Sequence, residues 1–452
     1  MTIAERLAGK IHGLGGSLPF EGCLHWSRMA ITDMIGVALA GVGTETARIP
    51  GSILSGAAGN SHIIGTARRC DPVTAALLNG TAAHALDFDD MHESMMGHPS
   101  VAILPAALAL GEHVGATGKE LIEAYLVGFE TAARIGRGMT HAHQRRGWHS
   151  TGTLGVFGAV AASATLLNLT ENQTATALAM ACSMASGVRG NYGTMTKPLH
   201  AGLAGRNAVF AALMAQEGFC ASTEAFEHKQ GFFAVYNDGA PVDEDAMFEN
   251  WFEPPEILDP GVCLKLYPCG SHTHPFIEMT KSLLAEHGVT LKDIERLDAL
   301  SETSRHHHAD RPQPKSGLDA KFSTQYTMAR TLMNGSPKLA HFTDEAVREK
   351  DIRNVMALIH AAPHPDLDES WASKYGGEVI MTLKSGAVYR AHIEHQIARG
   401  PSMPLSKNDL REKFLDCAAA CLEPARAEDL FDGLMAIDSR ENIATLMAQA
   451  VP

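Results

Sequence analysis

The first two-thirds of the chain has the hydrophobic periodicity of successive α-helices. An Asp-Pro pair at 71–72 predicts one helix start, because aspartate favours the N-cap and proline favours the first helical position. Thr117 with Glu120, and Thr170 with Gln173, form capping-box patterns ahead of apolar residues at helical spacing. These helices contain many alanines and glycines, and some have apolar residues nearly all round, which indicates close packing in a large bundle.

The pattern changes after residue 254. The segment 254–275 is rich in Pro, Gly and Cys and predicts a loop. Residues 294–303 then predict a strand, and 377–394 predict a hairpin that turns near a Ser-Gly pair. From residue 406 the chain is helical again. An α+β segment is therefore expected over about 275–398, followed by helices that pack back onto the first domain.

Composition narrows the class of protein. The 452 residues include 37 Lys+Arg and 51 Asp+Glu, a net charge of −14, which argues against a nucleic-acid partner. The N-terminus, MTIAERLAGK, lacks the apolar core of a signal peptide, and the most apolar segment, 154–169, is too short to span a bilayer. The eight cysteines are scattered without zinc-ribbon spacing. We expect a cytoplasmic protein with reduced thiols and no membrane partner.

Carboxylates and imidazoles are concentrated in residues 84–100, HALDFDDMHESMMGHPS. Three aspartates within four positions repel one another if all are buried and ionised, so at least one pKa should rise. Coupled carboxylates of this kind suit general acid/base chemistry. For Asp89 or Asp90 alone, a solvated acidic helix end explains the sequence equally well. His98, flanked by Gly and Pro before the next apolar helix, is a candidate catalytic residue.

Two further segments place polar residues next to apolar helices. His149 precedes Ser150 and Thr151 at a predicted helix N-terminus, where free N–H groups attract anions. Ordinary capping by the two hydroxyls is the alternative interpretation. Lys197 lies in a polar loop between two apolar helices, which favours a carboxylate anchor or a base over a flexible surface lysine.

Two later segments are also polar: 265–275 combines Lys, Tyr and His with Gly and Pro, and 321–326 combines Lys and Tyr with Ser, Thr and Gln. The chain contains no HExxH, P-loop, GxSxG or GxGxxG motif, so zinc proteolysis, phosphoryl transfer and dinucleotide redox chemistry lack support. The tract Arg-His-His-His at 305–308 predicts a solvated loop rather than a metal site, because adjacent histidines on a strand end point to alternate faces. No metal or cofactor is expected.

Five of these segments, in this order, resemble the MmgE/PrpD family, which includes 2-methylcitrate dehydratase, cis-aconitate decarboxylase and iminodisuccinate epimerase. The matching segments are HALDFDDMHESMMGHPS (84–100), GWHSTGTLGVFGA (147–159), GTMTKPLHAGLAGRNAV (193–209), KLYPCGSHTHPFIE (265–278) and AKFSTQYTMA (320–329). The resemblance implies a mainly α fold and a homodimer. The implied domains are a large all-helical domain formed by both chain ends, residues 1–265 and 400–452, and a smaller α+β lid domain, residues 266–399.

The resemblance also assigns site residues by position. They are Asp87, His98, His149, Lys197, Lys265 and His274, with Tyr326 nearby. His272 is an alternative to His274 for this assignment, because members of the family differ in sequence in this segment. Met91 stands where members commonly carry threonine, which removes a hydroxyl from the expected substrate side.

The chemistry that the family shares starts from an acid with several carboxylates and builds negative charge on a carbon. Such a site needs cations for the carboxylates and groups that carry protons near neutral pH. In this chain the proton carriers are His98, His149 and His274, with Asp87 to orient a histidine. The expected carboxylate clamps are Lys197, Lys265 and an arginine such as Arg189 or Arg206.

We therefore predict a cofactor-independent enzyme that transfers a proton at a carbon next to a carboxylate of a di- or tricarboxylate. The first hypothesis is that the enzyme is a dehydratase. The alternatives are an epimerase of an imino- or hydroxy-dicarboxylate such as iminodisuccinate, which Met91 favours, and a decarboxylase of a cis-aconitate-like acid. A catalytically inactive binding protein for anionic metabolites also remains open. Sensitivity to EDTA would instead indicate a metal site built from Asp87, Asp90 and His92.

Overall fold

The fold is described from a computed structural model. The description covers residues 1–14, 20–54, 56–367, 376–394 and 398–452, without the side chains of Phe20, Thr140 and His141. This part of the chain is mainly helical and has strands in two small sheets. The predicted fold class, mainly α with a smaller α+β part, is confirmed.

The chain forms two compact units. Unit 1 comprises Met1–Leu264 and Gly400–Pro452, and unit 2 comprises Lys265–Arg399. The first part of unit 1 contains one antiparallel strand pair, β1 (Ser61–His62) and β2 (Arg69–Cys70). Its helices are α1 (Ile3–His12), α2 (Phe20–Gly41), α3 (Glu45–Ile53), α4 (Pro72–His84), α5 (Ser100–Val114), α6 (Gly118–Arg145), α7 (Ser150–Thr153), α8 (Gly155–Leu166), α9 (Glu171–Met184), α10 (Thr196–Gln216), α11 (Phe232–Tyr236) and α12 (Glu244–Phe248).

Unit 2 contains the second sheet and the helices around it. The helices are α13 (His274–His287), α14 (Thr303–Ala309), α15 (Gly317–Ala320), α16 (Thr324–Asn334), α17 (Asp344–Arg348) and α18 (Lys350–Met356). The strands are β3 (Ile294–Ser301), β4 (Ile359–Pro363), β5 (Gly377–Leu383) and β6 (Val388–Ile393). The chain then returns to unit 1 through α19 (Lys407–Ala418), α20 (Pro424–Met435) and α21 (Ile443–Met447). Within the ranges given above, none of the helices is both long enough and apolar enough to cross a membrane.

The predicted helix starts are confirmed by their caps. The Asp71 carboxylate accepts a hydrogen bond from the Thr74 backbone N–H, 2.9 Å away, at the start of α4. Thr117 and Thr170 each form a reciprocal capping box at the start of α6 and α9. These local bonds satisfy backbone donors that a helix otherwise leaves without partners, so they could be recognised from sequence alone.

Helices α4 and α10 meet backbone to backbone, and this contact prepares the site. A Cβ added to Gly80 would lie 2.9 Å from the Gly202 Cα, and one added to Gly202 would lie 2.3 Å from the Leu77 carbonyl oxygen. Only glycine permits this approach. The contact sets the end of α4 beside the beginning of α10, where His84 and Lys197 lie.

Unit 2 has a four-stranded sheet in the order β4-β3-β5-β6. β3 pairs parallel to β4 and antiparallel to β5, and β5 and β6 form the predicted hairpin. Alternate residues of β5 are buried, and α13 and α16 pack on the sheet. The loop predicted for 305–308 is wrong: these residues lie in α14, because the Glu302 carboxylate accepts from the Ser304 and Arg305 backbone N–H groups and starts a helix.

Candidate active site

The site begins where α4 ends. Beyond His84 the backbone of Asp87 adopts a left-handed conformation with φ 52°. Few residues other than glycine occupy this region, although aspartate tolerates it better than most, and such conformations are concentrated at functional sites. The turn directs polar groups into the protein, since Asp87, Asp89 and His98 are all buried.

Asp87 contacts a cation from the first turn of α10. The Lys197 Nζ lies 2.6 Å from Asp87 Oδ1, and both side chains are buried. His98 Nε2 lies 3.8 Å from the same carboxylate oxygen. A lysine from the first turn of α10 is therefore brought together with a carboxylate and an imidazole from the segment 84–100.

Asp89 joins two imidazoles on the other side of this group. The His84 Nδ1 lies 2.9 Å from Asp89 Oδ2, and His98 Nδ1 lies 2.9 Å from the same oxygen. Burial alone would raise the pKa of Asp89, but the two imidazoles outweigh burial and hold that pKa well below its usual range. An ionised carboxylate only accepts hydrogen bonds, so the Nδ1 atom of His84 carries its proton.

Burial lowers the pKa of the histidines, whereas it raises that of a carboxyl group. It lowers the pKa of His84 to about 4, even though Asp89 pulls in the other direction. It also holds the pKa of His149 well below its usual range, with a further contribution from the charge on Lys197. Both imidazoles are therefore neutral at pH 7, and neutral imidazoles can accept a proton.

His149 is the third imidazole of the site, after His84 and His98. It caps the short helix α7, and its ring stacks on that of His84 with centroids 5.8 Å apart. Its Nδ1 lies 3.0 Å from the Nδ1 of His200, and its ring meets the edge of Tyr192 at 5.1 Å. The alternative interpretation, capping of α7 by the Ser150 or Thr151 hydroxyl, is wrong. The N-cap residue is His149, whose side chain makes no capping hydrogen bond, and the Thr151 hydroxyl instead accepts from the His98 backbone N–H.

The predicted arginines occupy different places. The Arg189 guanidinium lies 5.5 Å from the centre of the Tyr192 ring, whose centre is 5.3 Å from Lys197 Nζ. Arg206 is exposed and donates to the side chain of Asn207. The structure therefore brings Arg189 to the same tyrosine ring as Lys197, while Arg206 bonds to its neighbour Asn207 on α10.

Four predicted site residues lie in unit 2. Lys265 is buried. His274 is the first residue of α13, and the centre of its ring lies 5.2 Å from the centre of the Tyr267 ring. His272 packs against Phe322 at 6.0 Å. The Tyr326 hydroxyl donates to a backbone carbonyl and accepts from the Arg330 guanidinium, so it is used within unit 2.

The third aspartate of the motif, Asp90, bonds to a hydroxyl rather than to the histidines of the site. Asp90 accepts a hydrogen bond of 2.5 Å from the Ser100 hydroxyl, which also contacts the Tyr125 hydroxyl at 2.6 Å. Burial raises the pKa of Asp90 to about 8. The predicted rise of one aspartate pKa is thus confirmed, at Asp90.

The backbone N–H of Met91 donates a hydrogen bond to the Cys263 carbonyl, 2.8 Å away.

The structure groups possible metal ligands differently from the sequence hypothesis. His92 Nε2 lies 3.0 Å from the Glu256 carbonyl oxygen, and Asp90 bonds to Ser100, so these two do not join Asp87. Within the described ranges, the donor atoms that come within 4.8 Å of one another belong to His84, Asp87, Asp89 and His98. Imidazoles and carboxylates suit a divalent ion. The ammonium of Lys197, 2.6 Å from Asp87, opposes a second cation there.

The sequence hypothesis missed His84, Asp89, Tyr192 and His200 as site residues. Two of them could have been found from spacing. His200 follows Lys197 by three positions on one helix, which places both on the same face. His84 lies on the last turn of a helix whose loop carries Asp87. Tyr192 gave no such signal, since only the fold brings it to His149.

Comparison with known proteins now bears on this geometry. Residues 5–245 match the model of the MmgE/PrpD N-terminal domain, and residues 267–434 match that of the MmgE/PrpD C-terminal domain. The chain belongs to the MmgE/PrpD family. The resemblance inferred from the five motifs is therefore confirmed.

Several curated MmgE/PrpD proteins are similar over nearly the whole chain. Cis-aconitate decarboxylase of Mus musculus is 28% identical, covering 98% of this chain and 92% of its own length. The human protein of the same name is also 28% identical, with coverages of 98% and 94%. A probable 2-methylcitrate dehydratase of Saccharomyces cerevisiae is 23% identical, with coverages of 94% and 86%. These relatives are enzymes, and at such identities their individual activities do not transfer to this chain.

Proposed function

We propose that this protein is a cofactor-independent lyase that acts on a di- or tricarboxylate by moving a proton at a carbon next to a carboxylate. The observation that carries the proposal is the buried group of Lys197, Asp87, His98, Asp89 and His84, with His149 stacked on His84. The group combines a fixed cation with several proton carriers away from bulk water, which strengthens each electrostatic interaction.

The cations provide the binding function. Lys197 is buried, and its Nζ and the Arg189 guanidinium lie 5.3 Å and 5.5 Å from the centre of the same Tyr192 ring. In the proposed complex a substrate carboxylate competes with Asp87 for the Lys197 ammonium. A second carboxylate is within the reach of Arg189, whose guanidinium can bind it through two hydrogen bonds. A local positive region of this kind offsets the net charge of −14, which would otherwise repel a polyanion.

The histidines provide the proton transfer. Burial, followed by the charge on Lys197, lowers the pKa of His149, so its imidazole is neutral and has a lone pair that can accept the substrate proton. His98 lies between the carboxylates of Asp87 and Asp89, so it can hold a proton and deliver it to a leaving group. In a dehydration, the base takes the proton on carbon and the acid protonates the departing hydroxyl.

A second reaction is supported by the relatives. The similar proteins from mouse and human carry the name cis-aconitate decarboxylase. In a decarboxylation CO2 leaves first, the charge spreads into the remaining carboxylate, and the same acid protonates the carbon. Both reactions use one cation clamp and one proton donor, and so both are compatible with this group of residues. Epimerisation, the other alternative from the sequence, needs two proton carriers on opposite faces of one carbon.

The decisive experiment is incubation of the full-length protein with candidate polycarboxylates in D2O, followed by NMR. The set includes 2-methylcitrate, cis-aconitate and hydroxy- and imino-dicarboxylates. New alkene signals with loss of the hydroxyl identify a dehydratase, and loss of one carboxylate identifies a decarboxylase. Deuterium incorporation with inversion and no elimination identifies an epimerase. Binding without exchange or turnover across the whole set would overturn the enzyme proposal in favour of a binding protein.

The assembly is proposed from the family resemblance. We expect a homodimer, and size-exclusion chromatography with light scattering should give about twice the chain mass of 48.3 kDa. A mass of one chain at micromolar concentration would contradict it. Lys265, His272, His274 and Tyr326 remain predicted substrate-binding or catalytic residues on the basis of the resemblance.

A further inference from the structure

Two buried imidazoles face each other through the same type of nitrogen. The Nδ1 atoms of His149 and His200 lie 3.0 Å apart, and the residues are 1% and 6% exposed. A hydrogen bond between two nitrogens needs one donor and one acceptor. One of the two rings therefore carries a proton on Nδ1, and the other presents a lone pair there.

The backbone fixes this pair. Gly187, with φ 128°, accepts a hydrogen bond of 3.0 Å from the His149 backbone N–H. It also packs on the other imidazole, since a Cβ at Gly187 would lie 3.0 Å from His200 Nδ1. One glycine thus positions both rings, and its positive φ and its lack of a side chain are both required.

The pair decides what the opposite nitrogen of His149 can do. If His149 Nδ1 donates, its Nε2 keeps a lone pair and can take a proton. If His149 Nδ1 accepts, its Nε2 carries a proton and can only donate. Among the described residues, the buried His149 Nε2 has no hydrogen-bond partner, which leaves it available to a ligand.

The direction of the hydrogen bond follows from the surroundings. Burial, followed by the charge on Lys197, lowers the pKa of both His149 and His200, so the pair contains two neutral rings. Both rings are buried, but His200 is 6% exposed against 1% for His149, so a proton on Nε2, away from the pair, is more easily hydrated on His200. With its proton on Nε2, His200 presents Nδ1 as the acceptor.

We propose that His200 is a positioning residue whose Nδ1 accepts the Nδ1 proton of His149 and thereby leaves a lone pair on His149 Nε2, the nitrogen that removes the substrate proton. This inference deepens the proposed function and rests on it for the catalytic role. The arrangement of protons in the ligand-free protein does not depend on the reaction.

The first test is spectroscopic. Full-length protein labelled with ¹⁵N-histidine is studied by long-range ¹H–¹⁵N correlation at pH 7.5, and the His149 signals are assigned by their loss in His149→Gln. We expect a protonated Nδ1 and an unprotonated Nε2 on His149. In His200→Leu this preference is lost. A protonated Nε2 on His149 in the unaltered protein would overturn the proposal, whatever the activity.

The second test separates positioning from packing. With the substrate found by the D2O experiment, His200→Leu should lower kcat about tenfold or more and change KM less than about threefold. His200→Asn restores an acceptor oxygen close to the lost Nδ1 and should recover most of the activity. Equal losses in the leucine and asparagine variants, with unchanged thermal unfolding, would show that His200 only fills space.

The two tests also separate this inference from the proposed function. If no polycarboxylate reacts with the unaltered protein, the proposed function fails, while the NMR pattern still decides the state of His149. If the substrate reacts and the NMR pattern is reversed, the function stands and the positioning role of His200 is lost.

Discussion

The ammonium of Lys197 and the carboxylate of Asp87 lie 2.6 Å apart although the residues are 110 positions apart in the chain. Both side chains are buried, so the two charges compensate each other away from water. A substrate carboxylate that replaces Asp87 as the partner of Lys197 would leave the buried Asp87 carboxylate to His98, whose Nε2 lies 3.8 Å from it. Binding of an anion at this point is therefore coupled to the protonation of His98 or Asp87.

Replacing Lys197 by alanine should reduce kcat/KM about 100-fold or more, because the site loses the cation that stabilises developing negative charge. Steady-state kinetics with the substrate identified in D2O provide the measurement. Lys119→Ala, an exposed lysine on α6, is the matched control and should leave the rate unchanged. Near-normal activity of Lys197→Ala would refute the assignment of the site.

The two candidate arginines should differ in their effect on binding. Arg189 lies beside Tyr192, whereas Arg206 is exposed and bonded to Asn207. We expect Arg189→Ala to raise KM about tenfold with little change in kcat, because a charge-assisted bond to the substrate is lost in both ground and transition states. Arg206→Ala should raise KM less. A larger effect at Arg206 would show that the substrate lies further along α10.

A buried ion pair supports the loop that carries the carboxylates. Lys413 of α19 lies 2.6 Å from Asp33 of α2 and donates to the Phe88 carbonyl at 2.7 Å. Replacing Lys413 by methionine leaves a buried charge without compensation, which should cost about 3–5 kcal/mol of unfolding free energy. Urea unfolding measures the loss.

Two variants test this interpretation of Lys413. Lys407→Met, at an exposed position of the same helix, should change the unfolding free energy by less than about 0.5 kcal/mol. Adding Asp33→Asn to Lys413→Met should recover part of the loss, because the uncompensated carboxylate is removed. Without such recovery, the effect of Lys413 would arise from packing rather than charge.

Stability should fall as the pH drops from about 6.5 to about 4. Burial lowers the pKa of His84, His92 and His143 to about 4, so in this window the unfolded chain binds protons that the folded protein does not. Asp90 acts in the opposite direction, since its folded pKa is raised to about 8. Burial also lowers the pKa of His149, His200 and His341, and it raises the pKa of Glu130 and Glu256. Among the described residues, six histidines against three carboxyl groups should leave a net loss on acidification.

His143 is the residue with which to measure this effect. It bonds the Tyr236 carbonyl and the Thr153 hydroxyl, and it lies outside the group around Asp87. His143→Gln should reduce the difference in unfolding free energy between pH 7 and pH 4.5. His228→Gln, at an exposed position, should leave that difference unchanged. Equal pH dependence in all three proteins would show that His143 does not titrate as described.

Activity should survive chelation. His84, Asp87, Asp89 and His98 have the geometry for a divalent ion, but the Lys197 ammonium already lies 2.6 Å from Asp87. Dialysis against EDTA, with elemental analysis before and after, should leave the rate unchanged. Loss of the rate, with recovery on adding back one particular divalent metal, would replace the lysine-based account by a metal centre.

The local part of the fold could be predicted from sequence because its signals are local. The caps at Asp71, Thr117 and Thr170 and the hairpin of β5 and β6 depend on residues a few positions apart. Helix α14 was missed because three histidines suggested a solvated loop, while the decisive contact was the Glu302 carboxylate at its start.

The site was only half predictable for the same physical reason. Lys197, His98 and His149 were recognised because each stands out in its own apolar surroundings. Asp89 was not recognised, because the sequence of an acidic cluster does not distinguish a solvated aspartate from one buried between two imidazoles. In the structure Asp89 lies between His84 and His98. The partnership of His149 with His200 depends on Gly187, which no short-range pattern connects to either ring.

The glycine contact between α4 and α10 has a consequence for protein engineering. Because Gly80 and Gly202 let the main chains touch, the spacing between the two helix ends does not depend on the rotamers of bulky residues. Exchanges at the end of α4 or the beginning of α10 therefore leave the spacing of the two helices unchanged. Lys197 is the exception to free exchange, because its loss leaves the buried Asp87 carboxylate uncompensated. A library that varies Lys197 and Asp87 together while keeping both glycines should yield more folded proteins than one that varies Lys197 alone.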